Sequence, residues 1–239
     1  MSSDLQHEDE PRTCRLCSVR QSGICGALDA SQLTMLSKHT RHSKHEAGSE
    51  LFGDETDITS YANVMSGVIK LMKVLEDGRQ QVVGLKFASD FIGRIHAKSN
   101  ALSAEAASEV ELCQVPRHIM ETLLEESRKL ERHLMKESLR ELDEAREWMV
   151  TLGRKSAAER VASFLYLIAL HQNPDLGPDQ NVIEYDLPLT RSDIADFLGL
   201  SIETVSRQLT ELRRLEVVVI RNKRHVIIPD TERLRHRTG

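Results

Sequence analysis

The stretch Leu187–Arg214 constrains the fold of this chain most strongly, because it predicts two short helices joined by a tight turn. Thr190 can cap the first helix, and Asp193, three residues later, is placed to answer that cap. Gly199 can end this helix, since glycine tolerates a left-handed backbone at a helix C-terminus. Ser201 can cap the second helix, whose apolar residues recur at helical spacing: Ile202, Val205, Leu209 and Leu212.

This arrangement predicts a helix-turn-helix, in which the second helix enters the DNA major groove. On its polar face Arg207 can donate to guanine O6 and N7, Glu203 can accept from cytosine N4, and Ser206 can bond a base edge or a phosphate. The alternative is a helical hairpin whose charges only face solvent; the two caps, the glycine turn and the polar first turn favour the motif. The predicted DNA-binding residues are Thr190, Arg191, Ser201, Glu203, Thr204, Ser206 and Arg207.

Two β-rich runs follow, Leu215–Ile220 and Val226–Ile228, separated by the basic segment 221–225. Two short strands beside a helix-turn-helix are typical of a wing, whose basic loop can meet phosphates. Residues 190–239 contain ten Lys and Arg against seven Asp and Glu, whereas the whole chain has a formal charge of −5. Residues 190–239 are therefore the basic part of the chain, and the domain that contains them, 153–239, is interpreted as the DNA-binding domain.

The length of 239 residues allows two small domains, each with its own core. The sequence shows no 18-residue apolar run and no apolar leader, so we expect neither a membrane span nor a signal peptide, and a cytoplasmic protein. The polar start, 1–12, is expected to be a disordered tail. In a cytoplasmic protein, four Cys residues are more often metal or redox ligands than disulfide partners.

Three of these Cys residues lie within twelve positions, Cys14, Cys17 and Cys25, and the fourth, Cys113, is distant in sequence. Four thiolates can bind one iron–sulfur cluster or one structural zinc ion, and the Cys-x2-Cys-x7-Cys spacing does not separate the two. A set of surface thiols with one buried Cys stays open as an alternative. Three cations in the Cys-rich segment, which we assign to 1–27 with the tail, would favour ionised thiolates: Arg12, Arg15 and Arg20.

The region 28–115 predicts an antiparallel β-roll or jelly-roll domain, because short β-rich runs follow one another without intervening helices. A short helix, Leu28–Leu36, precedes them, and Asp77-Gly78 indicates a hairpin. The last run would project Cys113 from the domain edge. Three His residues at intervals of three, at 39, 42 and 45, do not share a strand face, so a solvated segment is favoured over a metal site. The predicted strands are Glu50–Phe52, Tyr61–Val64, Val68–Leu75, Gln81–Val83, Leu85–Phe87 and Val110–Val115.

A long helix is predicted for 116–152, and two rows of residues seven positions apart favour a seam between two identical helices. Because the seam contains Ser and Ala and has acidic neighbours, we expect weak dimerisation, which suits a switch. The alternative is a helix that packs on its own domain. A further helix, Ser156–His171, and an exposed loop, 173–181, lead into the DNA-binding domain. The predicted dimer-interface residues are Met135, Ser138, Leu142, Ala145, Met149 and Leu152.

Taken in order, the Cys-rich segment, β-domain, long helix and winged helix-turn-helix resemble the Crp/Fnr family of bacterial transcription regulators, and most of all its oxygen-sensing FNR branch. The pattern Glu203-x-x-Ser206-Arg207 is similar to the one with which FNR-type proteins read TTGAT half-sites, which implies a palindrome like TTGAT-N4-ATCAA. The resemblance also implies that the four Cys residues bind an oxygen-labile [4Fe–4S] cluster. Their spacing is similar to that of α-proteobacterial FNR-type regulators.

The resemblance implies an α+β fold and a homodimer that binds double-stranded DNA and contacts RNA polymerase, mainly as an activator of anaerobic or microaerobic genes. The cluster would promote pairing, and oxygen would switch the protein off. Relatives that bind cyclic AMP hold its phosphate with Gly-Glu and Arg-Ser pairs; the corresponding stretches here are 91–96 and 103–109, where Glu105 opposes a phosphate. No cyclic nucleotide is therefore expected. The FNR branch often places an acidic residue in the seam, where this chain has Ala145.

Two other classes of protein stay open. One is a regulator of the same family with structural zinc or a thiol redox switch in place of the cluster, which would be colourless with zinc. The other is an enzyme or electron carrier that uses iron–sulfur chemistry. Such a carrier would not need a helix-turn-helix and a wing, and the sequence shows no Ser/His/Asp set or paired carboxylates that would indicate an active site. A non-enzymatic DNA-binding protein is the favoured interpretation.

Overall fold

The computed structural model describes residues 12–172 and 182–239, so the predictions for the tail up to residue 11 and for the loop 173–181 fall outside the described residues. The chain divides into two compact units, one made of residues up to 73 and 83–142, the other of 74–82 and 143–239. Within the described ranges no helix is both long enough and apolar enough to cross a membrane.

The first unit begins with helix α1 (Arg12–Arg15), a 3-10 turn (Ile24–Ala27) and helix α2 (Ala30–Ser37). Eight strands follow and form two antiparallel four-stranded sheets, ordered β1-β8-β3-β6 and β2-β7-β4-β5, which confirms the predicted β-roll. Only the strands β1, β6 and β7 were not predicted; they are short, and β1 consists of polar residues. The strands are β1 (Arg41–His45), β2 (Glu50–Phe52), β3 (Ser60–Ser66), β4 (Ile69–Val74), β5 (Gln80–Lys86), β6 (Phe91–Ile92), β7 (Ser103–Ala106) and β8 (Val110–Pro116).

The sheet that contains β3 and β8 has a core on each face. Ala62 and Val64 point between the two sheets, where they pack with Ile69 of β4. Tyr61 and Val115 point the other way, into a second apolar cluster that includes residues of the 3-10 turn and α2. The two sets point apart because alternate side chains of a strand emerge on opposite faces. The Cys-rich segment rests on this second face.

The helix predicted for 116–152 is in fact two helices, α3 (Arg117–Glu126) and α4 (Arg128–Arg154). Ser127 separates them with an extended backbone, at φ −120° and ψ 92°. Its hydroxyl accepts a hydrogen bond from the backbone N–H of Leu130 at 3.3 Å, so it serves as a cap for α4. The sequence pattern could not show this break, because a buried Ser has no distinctive spacing.

The second unit contains α5 (Ala157–Gln172), β9 (Ile183–Asp186), α6 (Arg191–Leu198), α7 (Ile202–Arg214), β10 (Val219–Arg221), β11 (His225–Ile228) and α8 (Thr231–Arg235). Its sheet has the order β10-β11-β9, so the wing gains a third strand that was not predicted. The run Leu215–Ile220 is mostly a turn, since Glu216 has a positive φ of 54° and the strand begins only at Val219. The predicted winged helix-turn-helix is confirmed.

Candidate functional site

Helices α6 and α7 are positioned by caps that the sequence predicts. Thr190 and Asp193 form a reciprocal capping box: the Thr190 backbone N–H donates to the Asp193 carboxylate at 2.9 Å, and the Asp193 N–H donates to the Thr190 hydroxyl at 3.1 Å. Gly199 ends α6 in the left-handed conformation, at φ 60° and ψ 43°. Ser201 caps α7 by accepting from the Thr204 N–H at 3.2 Å. The local sequence therefore determines the angle at which α7 leaves α6.

Helix α7 buries one face and exposes the other. Val205, Leu209 and Leu212 are buried, whereas the three predicted base-reading residues, Glu203, Ser206 and Arg207, are all exposed on its outer face. The pKa of the Glu203 carboxyl lies below its ordinary value, because the carboxylate accepts from its own backbone N–H and then from the Ser201 hydroxyl. An ionised Glu203 is the acceptor that a cytosine N4 amine requires.

The structure also shows a basic groove, which we define as the cleft of about 380 Å³ between α6, α7 and the wing. Arg191 stands at its α6 side, where its Nη2 donates to the backbone carbonyl of Lys223 in the wing at 3.1 Å. Asn222 and Lys223 both have left-handed backbones, which places the Lys223 side chain at the exposed tip of the wing. The residues that line the groove include four cations and no carboxylate: Leu189, Thr190, Arg191, Ser206, Leu209, Thr210, Arg213, Ile220, Lys223 and Arg224.

The Cys-rich segment consists of the short helix α1, the 3-10 turn Ile24–Ala27 and the tight turns that connect them. The Cys17 N–H donates to the carbonyl of Cys14 at 3.3 Å, and the Gly26 N–H donates to the carbonyl of Gly23 at 3.0 Å. A side chain at Gly26 would place Cβ only 2.3 Å from the carbonyl oxygen of Gln21, so the turn beside Cys25 requires glycine. These turns bring Cys25 back onto the β-roll, where it packs against the cluster around Tyr61.

Cys113 lies on β8, where its Cα faces His42 of β1 on one side and Asn63 of β3 on the other. The pKa of the Cys113 thiol is raised to about 11, mainly by burial and also by the nearby Cys17 and Cys14, while a hydrogen bond with the Thr40 hydroxyl opposes the rise. Burial raises the pKa of Cys25 to about 12, with contributions from the other three Cys residues. The four thiols are therefore close enough to influence one another.

Proximity does not yet amount to a formed metal site. In the described ranges, no three Cys, His, Asp or Glu side chains stand close enough together to hold a metal ion. Binding of a metal or cluster would require the turns around Cys14, Cys17 and Cys25 to bring the sulfur atoms inward toward Cys113. The donor set itself, four thiols from two segments on one face of a sheet, fits an iron–sulfur cluster or zinc.

Comparison with known proteins decides the family. A model of the Crp-like helix-turn-helix domain matches residues 159–237, and a model of the cyclic nucleotide-binding domain matches 43–127. A "Probable transcriptional activator" from Rhizobium leguminosarum bv. viciae is 49% identical, over 97% of this chain and 95% of that protein. The transcriptional activator protein FnrL from Cereibacter sphaeroides is 37% identical, over 95% of this chain and 92% of its own length.

The chain belongs to the Crp/Fnr family. It is a transcription regulator of the Fnr and FixK type, and not an enzyme. The solved structure of FixK2 from Bradyrhizobium japonicum matches with a TM-score of 0.74 at 29% identity, covering 84% of this chain and 98% of that one. The predicted fold class is thereby confirmed.

In this Crp/Fnr regulator, helix α4 presents an unpartnered apolar face. Among the predicted seam residues, Met135, Ser138, Leu142 and Met149 are exposed, whereas Ala145 and Leu152 are half-buried. On the other side of the helix Leu130 and Leu134 are buried in the first unit. The helix therefore packs on its own domain with one face, and leaves the predicted seam open on the other.

Ion pairs hold the inner side of α4 in the first unit. Arg140 donates to the carboxylate of Asp90 at 2.8 Å, and Lys86 pairs with Glu141. The Asp90 carboxylate also accepts from the backbone N–H of Phe87 at 2.8 Å, which fixes the turn between β5 and β6. The exposed face of α4 is thus presented by a helix that is anchored from behind.

The stretch expected to oppose a nucleotide phosphate contains an ion pair. Glu105 of β7 lies opposite Lys70 of β4, and their charged groups are 2.8 Å apart, with Lys70 almost fully buried. The Glu105 carboxylate is therefore paired with a cation inside the β-roll. That no cyclic nucleotide binds stays a prediction, which this pair supports because the cation nearest to Glu105 is already neutralised.

The sequence alone did not predict several residues of the exposed α4 face, the basic groove and the surroundings of Cys113. Leu139 and Val150 are exposed apolar residues of α4 that lie beside the Met135 row, on the side away from Ser138. Leu139 follows Met135 by four residues and precedes Leu142 by three, so a search at 3-4 spacing would have found it. Arg213 and Lys223 line the basic groove, but only the fold brings them beside Arg191. Asn63 neighbours Cys113 through strand pairing, which sequence spacing does not reveal.

Proposed function

We propose that this protein is an oxygen-responsive transcriptional activator that binds a palindromic site as a homodimer and carries a [4Fe–4S] cluster on Cys14, Cys17, Cys25 and Cys113. The observation on which this rests most is the pairing of two features in one chain: an exposed Glu203, Ser206 and Arg207 on α7, and four mutually influencing thiols on the β-roll. Because its target would be chromosomal DNA, we place the protein in the cytoplasm.

The DNA-binding half of the proposal follows from geometry. Arg207 would donate two hydrogen bonds to a guanine, Glu203 would accept from a cytosine N4, and Ser206 would bond a base edge or a phosphate. The basic groove beside α6 would hold backbone phosphates, which position the helix without reading sequence. In a dimer two such helices would lie about 34 Å apart, one DNA turn, and meet the halves of a TTGAT-N4-ATCAA-like site.

The dimer half of the proposal follows from the open face of α4. Met135, Leu142 and Met149 are large apolar side chains that solvent reaches, and burying them against a second copy would stabilise the pair. The weakness of this seam makes pairing sensitive to small changes in the first unit. Activation would then require contact between the DNA-bound dimer and RNA polymerase.

A bound cluster would be an oxygen-labile group on the face of the β-roll next to Cys113. The chain's own part is to hold four thiolates in place, with Arg20 lowering the pKa of Cys25. Loss of the group would let the segment 14–27 relax, and the seam of α4, whose helix begins in the same apolar cluster, would lose its preferred position.

Two measurements on protein purified without oxygen test this proposal together. The visible absorption spectrum should show a broad iron–sulfur band that bleaches on exposure to air. Binding to a fluorescent TTGAT-N4-ATCAA duplex, read by anisotropy at fixed salt, should weaken on the same timescale, and a scrambled duplex serves as the control. A spectrum without colour, or DNA binding that is unchanged by air, would contradict the oxygen sensor.

A second candidate is a regulator of the same family with structural zinc or a thiol switch. The thiol switch is favoured by the finding that, among the described residues, the thiols are close but not gathered into a ligand set, whereas zinc would require the same gathering as a cluster. Zinc equal to the protein concentration, with no colour and with DNA binding that air does not change, would establish the zinc form. DNA binding that changes reversibly with a thiol reductant in metal-free protein would establish the thiol switch.

A further inference from the structure

A buried polar side chain with an unpaired oxygen lies beside the Cys residues. Asn63 is only 4% exposed, and within the described residues its Oδ1 has no hydrogen-bond partner. Its Cα is paired with that of Cys113 across the antiparallel strands β3 and β8. Directly opposed residues project their side chains from the same face of a sheet, a few ångströms apart. The unpaired Asn63 oxygen is therefore on the face of the sheet that carries the Cys113 thiol.

The Cys-rich segment rests directly on this carboxamide. A Cβ built on Gly23 would lie 2.6 Å from Nδ2 and 2.9 Å from Oδ1 of Asn63, so only glycine can pass over it. Gly23 belongs to the turn that connects Cys17 to Cys25, which the Ser22 hydroxyl ties to the hydroxyl of Ser89 at 2.7 Å. The carboxamide is thus enclosed between the sheet and the loop that carries three of the thiols.

An unpaired buried acceptor destabilises a protein by about 1–3 kcal/mol, whereas an apolar side chain of the same shape would avoid that cost. A polar group at such a position points to a partner that the folded chain alone does not supply. A half-turn about χ2 exchanges Oδ1 and Nδ2, so the carboxamide can present N–H donors at the orphaned position. On this face a bound cluster would supply such acceptors, namely its sulfur atoms and its ligand thiolates.

We propose that Asn63 is a positioning residue of the cysteine site, whose carboxamide donates a hydrogen bond to sulfur when the cluster is bound. This inference rests on the proposed function and adds a residue to its site. Hydrogen bonds to the sulfur atoms of a cluster raise its reduction potential and hold the ligands in place. Asn63 therefore lengthens the lifetime of the cluster in air, at the expense of the stability of the cluster-free protein.

The test compares Asn63→Leu, which keeps the branching of the side chain and removes its polar atoms, with wild type in two forms. In cluster-free protein, thermal unfolding is expected at the same or a higher temperature, because no buried acceptor is left unpaired. In cluster-loaded protein, bleaching in air is expected to be about 10-fold faster, the lower end of the range for partners of metal ligands. The reduction potential is expected to become more negative.

Two further variants sharpen the result. Asn63→Asp keeps the shape but places a negative charge beside the thiolates, so it should incorporate less iron than Asn63→Leu. Asn100→Leu is the matched control: Asn100 donates to the Thr56 hydroxyl at 2.9 Å, away from the Cys residues, and its replacement should leave the bleaching rate unchanged.

The proposal is supported if Asn63→Leu does not lower the unfolding temperature of the cluster-free protein but shortens the lifetime of the cluster in the loaded protein. If Asn63→Leu lowers the unfolding temperature of the cluster-free protein in parallel with the cluster lifetime, Asn63 is structural and the inference is wrong. If the coloured variant bleaches at the wild-type rate with an unchanged potential, the inference is also wrong while the proposed cluster stands. A colourless wild type overturns both.

Discussion

The helix-turn-helix and the cysteine segment differ in how much of its site the folded chain supplies by itself. The N-cap hydrogen bonds of α6 and α7 are both formed, and α7 buries its apolar face and exposes its polar face. Among the described residues, the thiols around Cys113 are near one another but not gathered, and the buried Asn63 oxygen beside them has no hydrogen-bond partner. The DNA-reading surface is preorganised, whereas the proposed cysteine site would be completed only by a bound group.

This difference fits the division of labour that we propose. A recognition helix has to present the same side chains whenever it binds DNA, so its rigidity is useful. A sensor has to exist in two states that differ by a few kcal/mol, so an arrangement that is unsatisfied without its ligand is useful there. Mutations in the two regions should therefore have different signatures.

The largest effect is expected for Cys113→Ser, which removes a proposed cluster ligand and should thereby also weaken DNA binding by the dimer. Iron and sulfide content should fall to background, and affinity for the palindromic duplex should fall by about 10²- to 10⁴-fold, the scale on which a linked pair of sites exceeds a single one. Metal analysis and anisotropy measure the two effects. Gln114→Ala, the next residue of β8, is the control. An unchanged affinity would show that pairing does not depend on this thiol.

Leu142→Ala should weaken pairing without touching either ligand site. If Leu142 is buried in a seam, each copy loses about 2 kcal/mol of apolar burial, so the dimer dissociation constant should rise more than tenfold. Analytical ultracentrifugation of cluster-loaded protein measures it. Glu147→Ala, on the polar side of α4, should have no comparable effect. Equal behaviour of the two variants would favour a helix that only packs on its own domain.

Arg207→Ala should affect DNA reading and leave the cluster unchanged. We expect a loss on the order of 1–3 kcal/mol that is confined to duplexes with the half-site guanine, because the bidentate contact recognises that base. The affinities for the palindrome and for a variant lacking this guanine should become nearly equal. Equal weakening on both duplexes would instead make Arg207 a phosphate contact.

Gly199→Ala tests only the turn between α6 and α7. Apart from Arg160 Nη1 at 4.0 Å, no atom of the described residues lies within 4 Å of the new Cβ, so the cost is the left-handed backbone itself, about 1–2 kcal/mol of unfolding free energy. Gly153→Ala, inside α4 with open space around it, should stabilise by about 0.5–1 kcal/mol. Urea unfolding followed by circular dichroism gives both values. The same sign for both variants would contradict this account of the turn.

The smallest effect is expected for Lys223→Ala at the tip of the wing. Because Lys223 would contact a phosphate, binding should weaken equally on palindromic and scrambled duplexes, and the slope of log K against log salt should decrease by about one. Salt titrations of the two duplexes measure this. A loss on the palindrome alone would show that the wing reads bases.

The sequence by itself determined the helix-turn-helix in detail, since caps, glycine turn and helical periodicity act between residues at most four apart. Thr190, Gly199 and Ser201 have the roles that were predicted for them. The same local logic predicted the longer strands of the β-roll and the Asp77-Gly78 hairpin, where Gly78 has a φ of 83°. Polar or short strands such as β1, β6, β7 and β9 escaped, because their pairing partners, and not their own residues, stabilise them.

Only the tertiary structure decided which distant residues meet. The neighbours of Cys113 on β1 and β3, the contact of Gly23 with Asn63, and the basic groove shared by α6, α7 and the wing all depend on strand register and helix packing. Such contacts join positions tens of residues apart, and no periodicity in the sequence encodes them. For this Crp/Fnr regulator, local chemistry thus specifies the surface that reads DNA, and packing specifies the surroundings of the thiols.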